Sequence, residues 1–151
     1  MEKIELKTFI KAPREKVWDI MLSNATYREW TSAFNPGSYF SGSWEQGSQI
    51  LFLGPDPTGD GEGGIVSFVK ENRPYEFVSL EHQGIIKNGV EDRTSDFAKN
   101  WIEIHENYTF IGKDDGTELH VDMDILESEK AYMEEAWKKA LEKLKELCER
   151  I

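Results

Sequence analysis

The side chains with which this 151-residue chain could do acid–base, nucleophilic or metal chemistry are few: three histidines, one cysteine and a surplus of carboxylates. Strand parity sorts the histidines. Over residues 76–87 the apolar positions Val78, Leu80 and Ile86 share a face, which brings His82 and Gly84 inward with them. Over residues 101–111 Ile102, Ile104, Tyr108 and Phe110 face in, so Glu106 enters an apolar row and His105 turns out. Over residues 118–126 Leu119, Val121, Met123 and Ile125 face in, leaving His120 outside with Asp122 and Asp124. His82 and Glu106 are thus the expected inward ionisable pair. Burial raises a carboxyl's pKa, and a neighbouring imidazolium lowers it. Three roles are open to the pair: satisfying each other at the sheet rim, contacting a ligand hydroxyl, or acting as general acid and base.

Other chemistry finds little support. Asp56-Pro57-Thr58-Gly59-Asp60-Gly61-Glu62 is similar to the front half of a calcium loop, but its twelfth position falls on Ser67, where that motif needs a bidentate glutamate. The glycines of residues 54–64 precede a strand-like run and no Gly-Lys-Ser/Thr opens a helix after them, which argues against a phosphate cradle and for a lid beside a cavity mouth. There is no Gly-x-Ser-x-Gly nucleophile elbow. Cys148 lies on an apolar helical stripe, where an inert buried thiol is expected, and a lone cysteine makes no internal disulfide. One inward histidine and one carboxylate fall short of a zinc site. The expectation is no catalytic residue, no metal and no cofactor.

The elements that must position His82 and Glu106 read clearly. Residues 3–11 alternate as a half-buried strand, with Ile4, Leu6, Thr8 and Ile10 on one face. Pro13 suits the first position of a helix over 14–22, and Asn24 is the expected cap of a second short helix carrying Tyr27 and Trp30. Strands follow at 39–44, 49–53, 64–71, 76–87, 101–111 and 118–126. A glycine-rich loop is expected at 54–64, a polar loop at 88–95, and Lys113-Asp114-Asp115-Gly116 signals a hairpin. Met133, Ala136, Trp137, Ala140, Leu141, Leu144, Leu147, Cys148 and Ile151 recur at helical spacing after a Ser128 cap. Strands joined by short turns form an antiparallel sheet with a face to cover, and the long last helix is the element that can cover it, an α+β layer arrangement.

Between sheet and helix, an apolar cavity wall is expected from Trp30 and Phe34 near the second helix, from Phe52, Phe68, Tyr108 and Phe110 on the sheet, and from Met133, Trp137 and Leu141 on the last helix. Length and composition suit one domain over 1–151, with 38% hydrophobic and 31% charged residues. The longest apolar run, residues 50–53, is far short of the ~20 that span a bilayer, and residues 1–12 carry no signal-peptide pattern, so a cytoplasmic protein is expected. The net charge is −11, and residues 128–151 hold six basic and six acidic residues, so the excess lies before them. Such a surface repels phosphate backbones and anionic headgroups, which argues against nucleic-acid binding and membrane insertion. Exposed sheet edges leave a monomer or a weak dimer.

The element order, the run Phe9-Ile10-Lys11-Ala12-Pro13 continuing into Lys16-Val17-Trp18-Asp19, and Tyr27-Arg28-Glu29-Trp30 resemble the helix-grip superfamily of START-like and birch-pollen-allergen-like domains. Residues 64–74 and 75–80 look like its two central strands around a proline turn. Within that superfamily the chain is most similar to homologues of the C-terminal domain of the activator of the ninety-kDa heat-shock chaperone's ATPase. The resemblance spans the chain and implies a curved antiparallel sheet gripping the terminal helix around a cavity for a lipid-like or polyketide-like molecule. It also implies one alternative, a chaperone-interaction module acting through its outer surface, while the inward pair leaves open a second, a cavity enzyme of cyclase or hydratase type using His82 and Glu106. Fold alone does not choose among these.

Overall fold

A computed structural model describes residues 1–56 and 61–150. The order is β1 (Glu2–Ile10), α1 (Arg14–Leu22), α2 (Asn24–Trp30), a 3-10 turn (Thr31–Ala33), β2 (Tyr39–Gly42), β3 (Gln49–Pro55), β4 (Glu62–Arg73), β5 (Phe77–Lys87), β6 (Val90–Asp92), α3 (Asp96–Lys99), β7 (His105–Lys113), β8 (Gly116–Ile125) and α4 (Glu127–Glu149). The strands form one antiparallel sheet in the order β1-β8-β7-β5-β4-β3-β2, with the short β6 on β5. The curved sheet, the long last helix and the short helices after β1 make an α+β helix-grip fold.

Alternation drives the core. Along β8 every second residue from Thr117 to Ile125 is buried, so one face is apolar and the other carries His120, Asp122 and Asp124. On α4 the buried residues are Ala136, Trp137, Ala140, Leu141, Leu144 and Cys148, a stripe that seats the helix on the sheet and against α1 and α2. Full burial of side chains such as Leu80, Leu119 and Leu144 stabilises by about 1.5–3 kcal/mol each.

Several local expectations are corrected. Leu126, not Ser128, precedes α4, and Asn24 is the first residue of α2 behind Ser23; neither helix start has a side-chain cap bond. Residues 88–95 are not simply a loop: they hold β6, and Ser95 Oγ accepts the Ala98 N–H at 3.1 Å to start α3. Residues 101–104 turn instead of continuing a strand, with Glu103 at φ +64°. The glycine-rich loop is narrower than 54–64, since β3 runs to Pro55 and β4 begins at Glu62. Pro57, Thr58, Gly59 and Asp60 of the calcium-like and lid readings, and Ile151 of the helical stripe, lie outside the described residues.

The pairing of β4 with β5 breaks register twice. Ser67 pairs with His82 but Val66 with Gly84, leaving Gln83 extra; Val69 pairs with Leu80 but Glu71 with Ser79, leaving Lys70 extra. These bulges decide which side chains of the two central strands reach the interior. A Cβ on Gly84 would lie 2.8 Å from Arg93 Cγ and from the Asp92 carbonyl oxygen, so Gly84 does not face the cavity as expected, whereas Ile86 does line it and Ile85 joins it. Among the described residues no helix is long and apolar enough to cross a membrane.

Candidate functional site

A cavity of about 530 Å3 lies between the sheet, α2 and α4. Its aromatic wall is built around Trp137. That ring lies 5.8 Å from Trp30, 5.0 Å from Phe34 and 6.0 Å from Tyr108, centroid to centroid. Trp30 is held by its indole N–H, which donates to the Met21 carbonyl at 3.1 Å. Tyr27, one turn before Trp30 on α2, stacks on Phe52 of β3 at 6.1 Å. Met133 contributes the next turn of α4. At the rim the cavity meets solvent beside Phe97 and Tyr132, which are 61% and 63% exposed, and beside Asp56 and Lys87. Asn35 ties the rim together by donating to the Pro55 carbonyl at 2.8 Å.

Into this wall project His82 from β5 and Glu106 from β7. His82 Nε2 lies 3.9 Å from Glu106 Oε1, with the two side chains 5% and 15% exposed. Glu106 Oε2 accepts the Tyr108 hydroxyl. Burial pushes the Glu106 carboxyl up to about 7, against the smaller opposing effect of that hydrogen bond. Burial, helped by the charge of His105, lowers His82 to about 4. The Tyr27 and Tyr108 phenols are raised by burial and by Glu106, so both stay neutral donors. At neutral pH the pair is therefore a neutral imidazole beside a carboxyl near its midpoint, not an ion pair. His105 and His120 lie outside, at 3.0 Å from Glu81 and 2.5 Å from Glu118 respectively.

Ser67, His82 and Glu106 contain the groups of a hydrolytic triad without its arrangement. Ser67 Oγ sits 2.7 Å from His82 Nδ1 but is fully buried in the sheet and does not line the cavity. It orients the ring and cannot meet a substrate. The Cys148 thiol, fully buried, is pushed up to about 12 by burial. Among the described residues no group of three histidine, cysteine or carboxylate side chains could hold a metal.

The structure brings Trp30, Phe34, Phe52, His82, Glu106, Tyr108, Met133 and Trp137 together around the cavity. It does not bring Phe68, Phe110 or Leu141 there. Phe68 stands opposite Glu81, one residue out of phase with Ser67 and Val69, and is only half-buried. Phe110 lies further along β7, edge-on to Trp18 of α1 at 5.1 Å. Leu141 is one turn past Trp137, where the stripe of α4 enters solid core. Sequence reasoning missed Tyr27, Thr31, Ile65, Ile85, Phe97, Trp101 and Tyr132 of the lining. Only Tyr27 carried a usable signal, its three-residue spacing from Trp30.

No curated protein matches the chain. Among solved structures it is similar to protein CV1439 from Chromobacterium violaceum, at 16% identity and TM-score 0.71 over 100% of both chains. It is also similar to the Aha1 dimer from Colwellia psychrerythraea, at 18% identity and TM-score 0.71, covering 99% of this chain and 97% of that one. CalU16 from Micromonospora echinospora matches at 14% identity and TM-score 0.67, over 97% of this chain and 76% of that one. At these identities the likeness concerns the fold. The model of one family, described as activator of Hsp90 ATPase homolog 1-like protein, matches residues 11–149. The chain belongs to that family, within the START-like helix-grip superfamily.

Proposed function

We propose that this chain, as one unit over residues 1–151, binds a small hydrophobic or amphipathic molecule in the cavity between sheet and α4. One observation carries the reading: a space of about 530 Å3, within the ~300–1,000 Å3 typical of small-molecule sites, is walled by aromatic rings and takes polar groups from His82, Glu106 and Tyr108 into its interior. Apolar walls supply affinity, and few convergent polar atoms set orientation. Native mass spectrometry of protein from its own host, followed by extraction, tests this. A stoichiometric small molecule that is lost in Met133→Trp, which narrows the cavity, is the expected result. Protein that carries nothing and does not distinguish wild type from Met133→Trp in any ligand screen refutes it.

A second reading is favoured by the family model: a chaperone-interaction module, as a monomer or weak dimer in the cytoplasm. It predicts that capture of the host's Hsp90 survives Met133→Trp, because a protein partner would use the outer surface. An enzyme of cyclase or hydratase type would instead turn over its bound molecule and lose turnover in His82→Ala.

A further inference from the structure

Resting on the cavity-binding reading, we propose that the ligand is an apolar amine whose ammonium group pairs with Glu106. Glu106 lines the cavity with Oε1 in no hydrogen bond among the described residues, while Oε2 takes the Tyr108 hydroxyl. Among the described residues no lysine or arginine pairs with it, and its nearest base, His82 Nε2, is 3.9 Å away. A carboxylate with only 15% of its side chain exposed and no counter-charge is costly, and a ligand cation removes that cost. The surroundings favour the same class. Trp30, Phe34, Tyr108 and Trp137 present ring systems around the space, and aromatic faces attract cations. An apolar acid would meet the Glu106 charge and the negative ring faces. An alcohol would gain one hydrogen bond without the charge.

Other ionisable groups near Glu106 are His82 on β5, Tyr108 on β7 and Tyr27 on α2, with Asp56, Lys87 and Tyr132 at the rim and His105, beside Glu81 and Asp124, on the opposite face of the sheet. His82 is neutral above about pH 5 and both buried phenols stay neutral, so Glu106 governs the pH response between about 5 and 8. Alkylamines keep their proton throughout this window. Amine affinity therefore falls about tenfold per pH unit once Glu106 protonates below its value of about 7.

The test uses three probes on one skeleton, phenylbutylamine, phenylbutanol and phenylbutyrate, titrated calorimetrically and by tryptophan fluorescence at pH 8 and pH 5. The expected result is an amine at least about tenfold tighter than the alcohol at pH 8, with the advantage gone at pH 5, and the acid weakest. Titration near pH 7 in two buffers of different ionisation enthalpy should show proton release on amine binding. In Glu106→Gln, checked for native circular dichroism, the amine-to-alcohol ratio should fall to about one. An alcohol or acid that binds as tightly as the amine at pH 8 overturns the amine assignment and leaves the cavity reading standing. If none of the three binds at millimolar concentration, the amine assignment falls, and the mass-spectrometric comparison with Met133→Trp decides the cavity reading by itself.

Discussion

Glu106→Gln should stabilise this protein, by an amount that depends on pH in a calculable way. In the unfolded chain the carboxyl titrates near 4.5; in the fold burial moves it to about 7. A carboxyl whose folded value is raised is protonated in both states at low pH and costs nothing there. As pH rises through 4.5 the unfolded chain ionises while the fold does not, and stability falls until the folded value is passed. The displacement corresponds to roughly 3 kcal/mol at full development, and the 15% of the side chain left exposed trims it. Gln resembles the neutral acid and keeps a carbonyl for the Tyr108 hydroxyl, so it escapes this loss. The variant is therefore expected to exceed wild type by about 2–3 kcal/mol at pH 8 and by less than about 1 kcal/mol at pH 5. Urea unfolding followed by tryptophan fluorescence at both pH values measures the difference. His82 works in the opposite sense: its folded value of about 4 lies below the 6.5 of the unfolded chain. Its contribution is complete above 6.5 and is lost as pH falls toward 4, which the Gln variant leaves intact. A pH-independent difference, or a variant weaker than wild type at pH 8, would refute the account of Glu106 as a carboxyl held against its solvation.

Two further outcomes follow from close packing. Gly64→Ala places a Cβ 1.9 Å from the Phe52 carbonyl oxygen across the β3–β4 pair, a backbone contact that no rotamer relieves, so a loss of about 2–3 kcal/mol is expected in urea unfolding; a loss under about 0.5 kcal/mol would count against it. Cys148, buried and with its thiol pushed up to about 12, should resist a thiol reagent at pH 8 in the folded protein and react only once urea unfolds it; prompt reaction of the native protein would contradict its burial.

Regular alternation made much of the architecture legible. On β7 and β8 no register shift intervenes within their pairing, and the parity that puts Glu106, Tyr108 and Phe110 on one face holds in the fold. The stripe of α4 was equally plain because its spacing runs over several turns. Phe68 was not legible, since Ile65, Val66, Phe68 and Val69 leave apolar residues on both parities of the strand, and only the pairing of Ser67 with His82 and of Val69 with Leu80 turns Phe68 to the other face. Strands of three residues and helices of four, like β6 and α3, are shorter than the period needed to detect them. Ser67 enters the sequence reading only as the failed twelfth position of a calcium-like loop, because its contact with His82 arises from cross-strand register. Phe97 and Tyr132 reached the rim through positions off any apolar stripe, where only the tertiary arrangement assigns a role.

The first strand pairs along its whole length with the last, from Glu2 opposite Ile125 to Ile10 opposite Thr117, and Thr117 Oγ1 closes the junction by donating to the Ala12 carbonyl at 2.7 Å. Contacts so far apart along the chain are formed late and slow folding. On a ribosome, β1 emerges more than a hundred residues before its partner β8 exists, with Ile4 and Ile10 uncovered meanwhile. The helices α1 and α2 can hold together locally during that interval, but the wall that α4 gives the cavity arrives last. A closed cavity therefore requires α4 to have been made, and a product truncated before it would expose an aggregation-prone sheet.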